Sequence, residues 1–221
     1  MRLLLISSST VHGFGFLDHP EPEIRSFLGD LKRVAFVPFA AHDHAAYTAK
    51  VRERLARMAL DVITIDDLDR ADAIFVGGGN TFRLLKTLYD RKLLDTIRER
   101  VRGGLPYIGS SAGTVIAAPT MRTTNDMPIV YPPSFDAFGF VSFQINPHYL
   151  DPDPTSTHKG ETREDRIREF HEENETPVVG LREGSVLRVD DGVTLLGQKT
   201  ARVFRRGHEP IETSPGKIEF D

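Results

Sequence analysis

The chain has 221 residues, a formal net charge of −4, and neither cysteine nor tryptophan. Its length allows roughly 70% of the unfolded surface to be buried, so a core can form without staples. Without cysteine there is no disulfide, thiolate zinc site, iron–sulfur cluster or thiol nucleophile, and covalent catalysis falls to an oxygen or an amine.

Residues 2–7 (RLLLIS) and 33–39 (RVAFVPF) are nearly continuous apolar runs, as expected of strands covered on both faces. The first is too short for a signal sequence or a membrane span, and a cytoplasmic protein is expected. Residues 44–59 form a predicted helix, with Tyr47, Val51, Leu55 and Met58 along one stripe. Strands are expected at 61–66 and 72–77, the second stopped by Gly77, Gly78 and Gly79. Helices are expected at 81–94 and 95–101, then a strand at 105–110 running into a short apolar helix at 111–117. This alternation predicts a three-layer, doubly wound, mostly parallel α/β sheet. Residues 119–142 read as a long loop, followed by a strand at 143–146 and a charged helix at 161–174. Short β-runs at 177–182, 185–190, 193–197 and 201–206, with an Asp191-Gly192 turn, predict antiparallel strands added to the sheet edge. With no repeat or linker, 1–221 reads as a single catalytic domain.

Gly109-Ser110-Ser111-Ala112-Gly113 has the G-x-S-x-G form, after a predicted strand and before a predicted helix. Small neighbours let a serine sit in a strained turn. The spacing puts Ser111 at its tip and aims the Ala112 N–H at a developing oxyanion. Gly77-Gly78-Gly79-Asn80-Thr81 occupies the same position after another strand. Its amides could cradle a phosphate, although neither a G-K-[ST] nor a G-x-G-x-x-G spacing is present. Alternatively, the Gly79 N–H could join that of Ala112 in an oxyanion hole. Purely structural readings, a tight strand–helix turn and a close glycine approach, stand beside both.

Of eight histidines, His148 in Asn146-Pro147-His148-Tyr149 follows a strand and is the preferred base. Either Asp126 or Glu183 could orient its ring, and spacing does not separate them. His42-Asp43-His44 lacks a third ligand at a defined spacing, so no metal or other cofactor is expected.

Six ordered stretches make the chain similar to the peptidase E family of α-aspartyl dipeptidases, whose relatives include cyanophycinases. They are VGGGNTF (76–82), YIGSSAG (107–113), RTTNDMPIV (122–130), FQINPHY (143–149), HKGETRE (158–164) and GLREG (180–184). The resemblance implies a fold similar to class I glutamine amidotransferases, hydrolysis of Asp-Xaa dipeptides and no metal. Carried onto this chain, it implies Ser111 as nucleophile, His148 as base and Glu183 as orienter, with Gly79 and Ala112 as the oxyanion hole. Substrate contacts are expected from Arg163 to a carboxylate, Asp126 to the ammonium, and Asn80. The order Ser111, His148, Glu183 also spreads the three groups over separate strand ends, whereas Asp126 would crowd them into 111–148. Rival readings are a cyanophycinase-like hydrolase of β-aspartyl-arginine and a non-catalytic nucleotide- or phosphate-binding protein. The expected partner is a small peptide; neither nucleic acid nor membrane is expected, and a homodimer is compatible with the sequence.

Overall fold

The computed structural model describes residues 1–152, 155, 157 and 160–220. In chain order the elements are β1 (Leu3–Ile6), α1 (Glu21–Leu28), β2 (Arg33–Val37), α2 (His44–Ala56), β3 (Asp61–Thr64), β4 (Ala73–Val76), α3 (Thr81–Asp90), α4 (Leu93–Arg102), β5 (Tyr107–Ser110) and α5 (Ala112–Val115). They continue with β6 (Gln144–Tyr149), α6 (Arg163–Glu173), β7 (Val178–Arg182), β8 (Val186–Val189), β9 (Val193–Leu196), β10 (Ala201–Phe204), β11 (Ile211–Thr213) and β12 (Gly216–Ile218).

An eight-stranded sheet has the order β12-β9-β8-β1-β5-β4-β2-β3. Its β1, β5, β4, β2 and β3 run parallel, and β8, β9 and β12 extend the free edge of β1 antiparallel. The apolar runs are continuous because alternate residues enter different cores. Leu3, Leu5, Ala35, Val37, Ile74 and Val76 pack on one face, under α3, α4 and α5. Leu4, Ile6, Val34, Phe36, Ala73 and Phe75 pack on the other with α1 and α2 residues, including the Val51 and Leu55 stripe.

Not all the late strands join this sheet. β11-β10-β7-β6 form a second, four-stranded sheet. Its Ile145, Val179, Leu181, Ala201 and Val203 share the core containing Leu187, Leu195 and Ile218 of the first. α6 closes its outer face through Ile167 against Tyr149, Val178 and Phe204. The strand expected at 143–146 continues through Pro147 and His148 to Tyr149. A proline fits there because β6 is an edge strand, where a missing N–H costs no ladder bond. Between Lys92, which is left-handed with φ 55°, and the caps at Asn80 and Thr162, the helix limits are set locally. No helix among the described residues is long and apolar enough to cross a membrane.

Candidate active site

β5 ends at Ser110, and the chain turns at once into α5 through Ser111, with φ 51°. A side chain dislikes this backbone region, at a cost of about 1–3 kcal/mol. The surroundings leave the turn no alternative. A Cβ on Gly113 would lie 2.1 Å from the Val76 carbonyl oxygen, and one on Gly109 would lie 2.6 Å from that of Gly113. The Ser111 N–H donates to the Ile6 carbonyl, and the Thr114 hydroxyl donates to the carbonyls of Ile6 and Gly109. The elbow is thus fastened to both β1 and β5.

β6 delivers His148 by a different device. Pro147 pairs with Leu181 and Tyr149 with Arg182, so His148 is the extra residue of a bulge, with φ 54°. A bulge re-aims a side chain that regular pleating would send elsewhere. The His148 N–H donates to Ser7 Oγ at 3.0 Å, and the Ser7 hydroxyl donates to the Leu181 carbonyl at 2.8 Å. Ser7 directly follows β1, so one buried hydroxyl joins the two sheets beneath the bulge. Asn125 Nδ2 donates to the Pro147 carbonyl, while its Oδ1 accepts from Asn146 Nδ2.

Ser111 Oγ lies 2.9 Å from His148 Nε2, and His148 Nδ1 lies 2.6 Å from Glu183 Oε1. An ionised carboxylate only accepts, which assigns the proton to Nδ1 and leaves Nε2 to accept from the serine hydroxyl. The structure therefore separates the two acids that spacing left open. Glu183, just past β7, meets the imidazole. Asp126 instead accepts from the Thr81 N–H (2.7 Å) and hydroxyl (2.5 Å) and from the Thr124 hydroxyl.

The Gly77–Asn80 loop abuts the elbow: a Cβ on Gly78 would meet that of Ser111 at 3.0 Å. Gly79 has φ 135°, and a Cβ there would fall 2.5 Å from the Ala40 carbonyl oxygen. The loop has little capacity left for a phosphate. The Gly78 N–H donates to the Tyr47 oxygen, the Asn80 N–H to the Ala40 carbonyl, and Asp126 already occupies the Thr81 N–H. Burial pushes the Tyr47 phenol up to about 12, keeping it neutral in this role. The N–H groups of Gly79 and Ala112 have no hydrogen-bond partner among the described residues.

Asn80 caps α3 by accepting from the Arg83 N–H, and its Nδ2 holds the Met127 carbonyl. Both ends of its side chain make a structural bond, and each keeps a further donor or acceptor for the expected substrate contact. Arg163 stands at the start of α6, half-buried and without a hydrogen bond or ion pair among the described residues. Burial lowers its pKa, Arg166 adds to this, and the facing Asp126 carboxylate opposes it. A guanidinium and a carboxylate therefore lie within electrostatic range of each other beside α3. His158 and Lys159 of the HKGETRE stretch lie outside the described residues. Elsewhere, Asp43 caps α2 and His44 packs on Phe39, and no group of three or more His, Asp or Glu side chains among the described residues could hold a metal.

A cavity of about 400 Å³ opens over Ser111, His148, Gly78 and Gly79, walled by Ser8, Phe16, Tyr47 and Lys50. Sequence reasoning missed Ser7, Tyr47 and Asn125. The serine run after β1 was visible, but nothing local tied it to His148.

The peptidase family S51 model matches residues 3–196. A Streptomyces coelicolor protein named peptidase E is 58% identical over 98% of this chain and 92% of its own length. A Drosophila melanogaster protein named "Probable alpha-aspartyl dipeptidase" is 49% identical over 97% of this chain and 94% of its own. A crystal structure of a peptidase E protein from Listeria monocytogenes has a TM-score of 0.61 at 24% identity, covering 96% of this chain and 98% of that one. At that identity it speaks for the fold alone. The family match and the two sequence relatives, each spanning most or nearly all of the chain, settle membership: this chain belongs to peptidase family S51.

Proposed function

We propose that the chain is a serine dipeptidase that hydrolyses Asp-Xaa through an acyl-enzyme, with Ser111 as nucleophile, His148 as base and Glu183 as orienter. The observation that carries this reading is the unbroken hydrogen-bonded line from Ser111 Oγ through His148 to Glu183. His148 Nε2 takes the hydroxyl proton as Ser111 attacks the peptide carbonyl, and Glu183 steadies the imidazolium that forms. The N–H groups of Gly79 and Ala112 receive the oxyanion. His148 then returns the proton to the leaving amine, and water resolves the ester by the same route. The names of the close relatives support an N-terminal aspartate as the substrate's first residue. In this reading Arg163 takes its side-chain carboxylate and the uncommitted Oδ1 of Asp126 its ammonium, a cation and an anion matched to a zwitterionic end group.

The test is a dipeptide panel run with and without EDTA. Asp-Leu should be cleaved in both conditions, and Leu-Leu and N-acetyl-Asp-Leu should be nearly inert. Ser111→Ala should lower turnover by roughly 10⁴-fold or more. Equal cleavage of all three peptides would overturn the specificity, and an active Ser111→Ala would overturn the nucleophile. Preference for β-Asp-Arg would favour the cyanophycinase-like reading instead.

A further inference from the structure

A dipeptide differs from a longer peptide in one chemical respect: its second residue carries the chain-terminal carboxylate. That charge sits a single residue beyond the bond being cut, at most about 3.6 Å of extended chain. A cation in the wall of the cavity over the nucleophile is therefore close enough to recognise it. Arg163 and Asp126 do not line the cavity over Ser111; Lys50 does.

Lys50 lies on α2, and its environment holds the ammonium at the cavity wall. Nζ stands 4.3 Å above the centroid of the Phe16 ring, which itself lines the cavity. Phe16 is fixed from two directions. Its ring meets Tyr47 edge-on at 6.3 Å, and its carbonyl accepts from Arg54 Nε at 2.9 Å. Tyr47 in turn receives the Gly78 N–H beside Ser111. On the same helix Arg54, one turn on, is spent on Asp18 and Glu21, and at the C-cap Arg57 on Glu53, whereas Arg52, like Lys50, has neither an ion pair nor a hydrogen bond among the described residues. The other side chains lining the cavity are neutral or apolar apart from His148, so Lys50 is the fixed positive charge on this side of Ser111. The volume of about 400 Å³ falls in the range of about 300–1,000 Å³ usual for small-molecule sites.

We propose that Lys50 forms the subsite for the C-terminal carboxylate of the substrate and so restricts the enzyme to dipeptides. This rests on the dipeptidase reading and adds the orientation of the substrate. Aspartate lies toward Arg163 and Asp126, and the leaving residue lies between Phe16 and Lys50. A tripeptide would place a neutral amide where Lys50 expects a charge.

The experiment compares Asp-Leu with Asp-Leu-amide, which differ only in that charge, in wild type, Lys50→Met and Lys50→Arg. Wild type should favour the free acid by about ten- to a hundredfold in kcat/KM, mostly through KM, the scale of one charge-assisted hydrogen bond. Lys50→Met should bring the ratio close to one, and Lys50→Arg should keep most of it. A wild type active on Asp-Leu but indifferent to the amide overturns the subsite, whether or not any variant folds. So does a ratio that survives in Lys50→Met. A wild type that cleaves neither compound overturns the dipeptidase reading itself.

Discussion

Ser111 and His148 are both side-chain-bearing residues forced to positive φ, yet the two strained corners are held in opposite ways. The Ser111 elbow is locked by packing at van der Waals distance. Gly109 and Gly113 leave no room for a methyl group, Gly113 lying against Val76 of β4, and the turn is fastened to β1 and β5. The His148 bulge is held by polar partners from distant parts of the chain: Ser7, Asn125 and the β7 strand with Glu183 at its end. A corner held by close packing is rigid until it breaks. A corner held by hydrogen bonds can be loosened in steps, so the His148 corner is the adjustable half of the site.

Four substitutions probe that asymmetry. The largest effect is expected from Glu183→Gln. The amide can donate to Nδ1 and stabilise the wrong tautomer, lowering kcat by roughly 10³–10⁴-fold with little change in melting temperature. A loss below tenfold would remove Glu183 from the reading. Gly180→Ala comes next. Its Cβ would lie 2.7 Å from the buried Tyr149 ring, next to the bulge, and should cost about 2–3 kcal/mol of stability in denaturant melts. It should also lower kcat, because Tyr149 and His148 move together; a destabilised variant with full kcat would show that the bulge is independent of β7.

Ser7→Ala leaves the His148 N–H and the Leu181 carbonyl without their shared partner. A loss of about 1–2 kcal/mol and a fall in kcat without a matching rise in KM are expected. Thr at this position should restore part of both, and an unchanged kcat would limit Ser7 to a structural role. The smallest effect concerns Arg182, beside Glu183. Hydrogen bonding to Arg182 holds the Asp151 carboxyl below its usual range. For Glu212, burial pushes upward but Arg182 and Thr200 outweigh it. Groups with depressed values contribute stability above their unfolded pKa, near pH 4, and lose it as pH falls through the folded one. Both carboxylates are nearly half exposed, so the pair contributes about 1 kcal/mol or less each. Arg182→Met should melt below wild type at pH 7, with the gap narrowing at pH 3. An equal gap at both would assign the effect to packing.

Much of the fold was legible because its cause is local. Two-faced burial demands the continuous apolar runs at 34–37 and 73–76, and Gly77 to Gly79 mark the end of the second. The elbow was legible for the same reason: five consecutive residues contain the turn and its steric demands. The split of the late strands into two sheets was not, since 177–182 is as apolar as 185–190 and only pairing with β6 sends it elsewhere. The commitment of Asn80 to a helix cap was hidden too, because an asparagine before a helix reads alike whether it caps or binds.

The sequence by itself singled out Ser111 as the candidate nucleophile, through a motif whose geometry is written in neighbouring residues, and the absence of any thiol to replace it. It offered His148 two acids that spacing left open, with chain order and the family resemblance favouring Glu183. Only the tertiary structure decided that choice, because it depends on the register of β6 against β7. A single extra residue at 148 turns the imidazole toward both Ser111 and Glu183. Lys50 belongs to the same class: a lysine on a helix has no meaning until folding brings Phe16 beneath it and Ser111 into the same cavity.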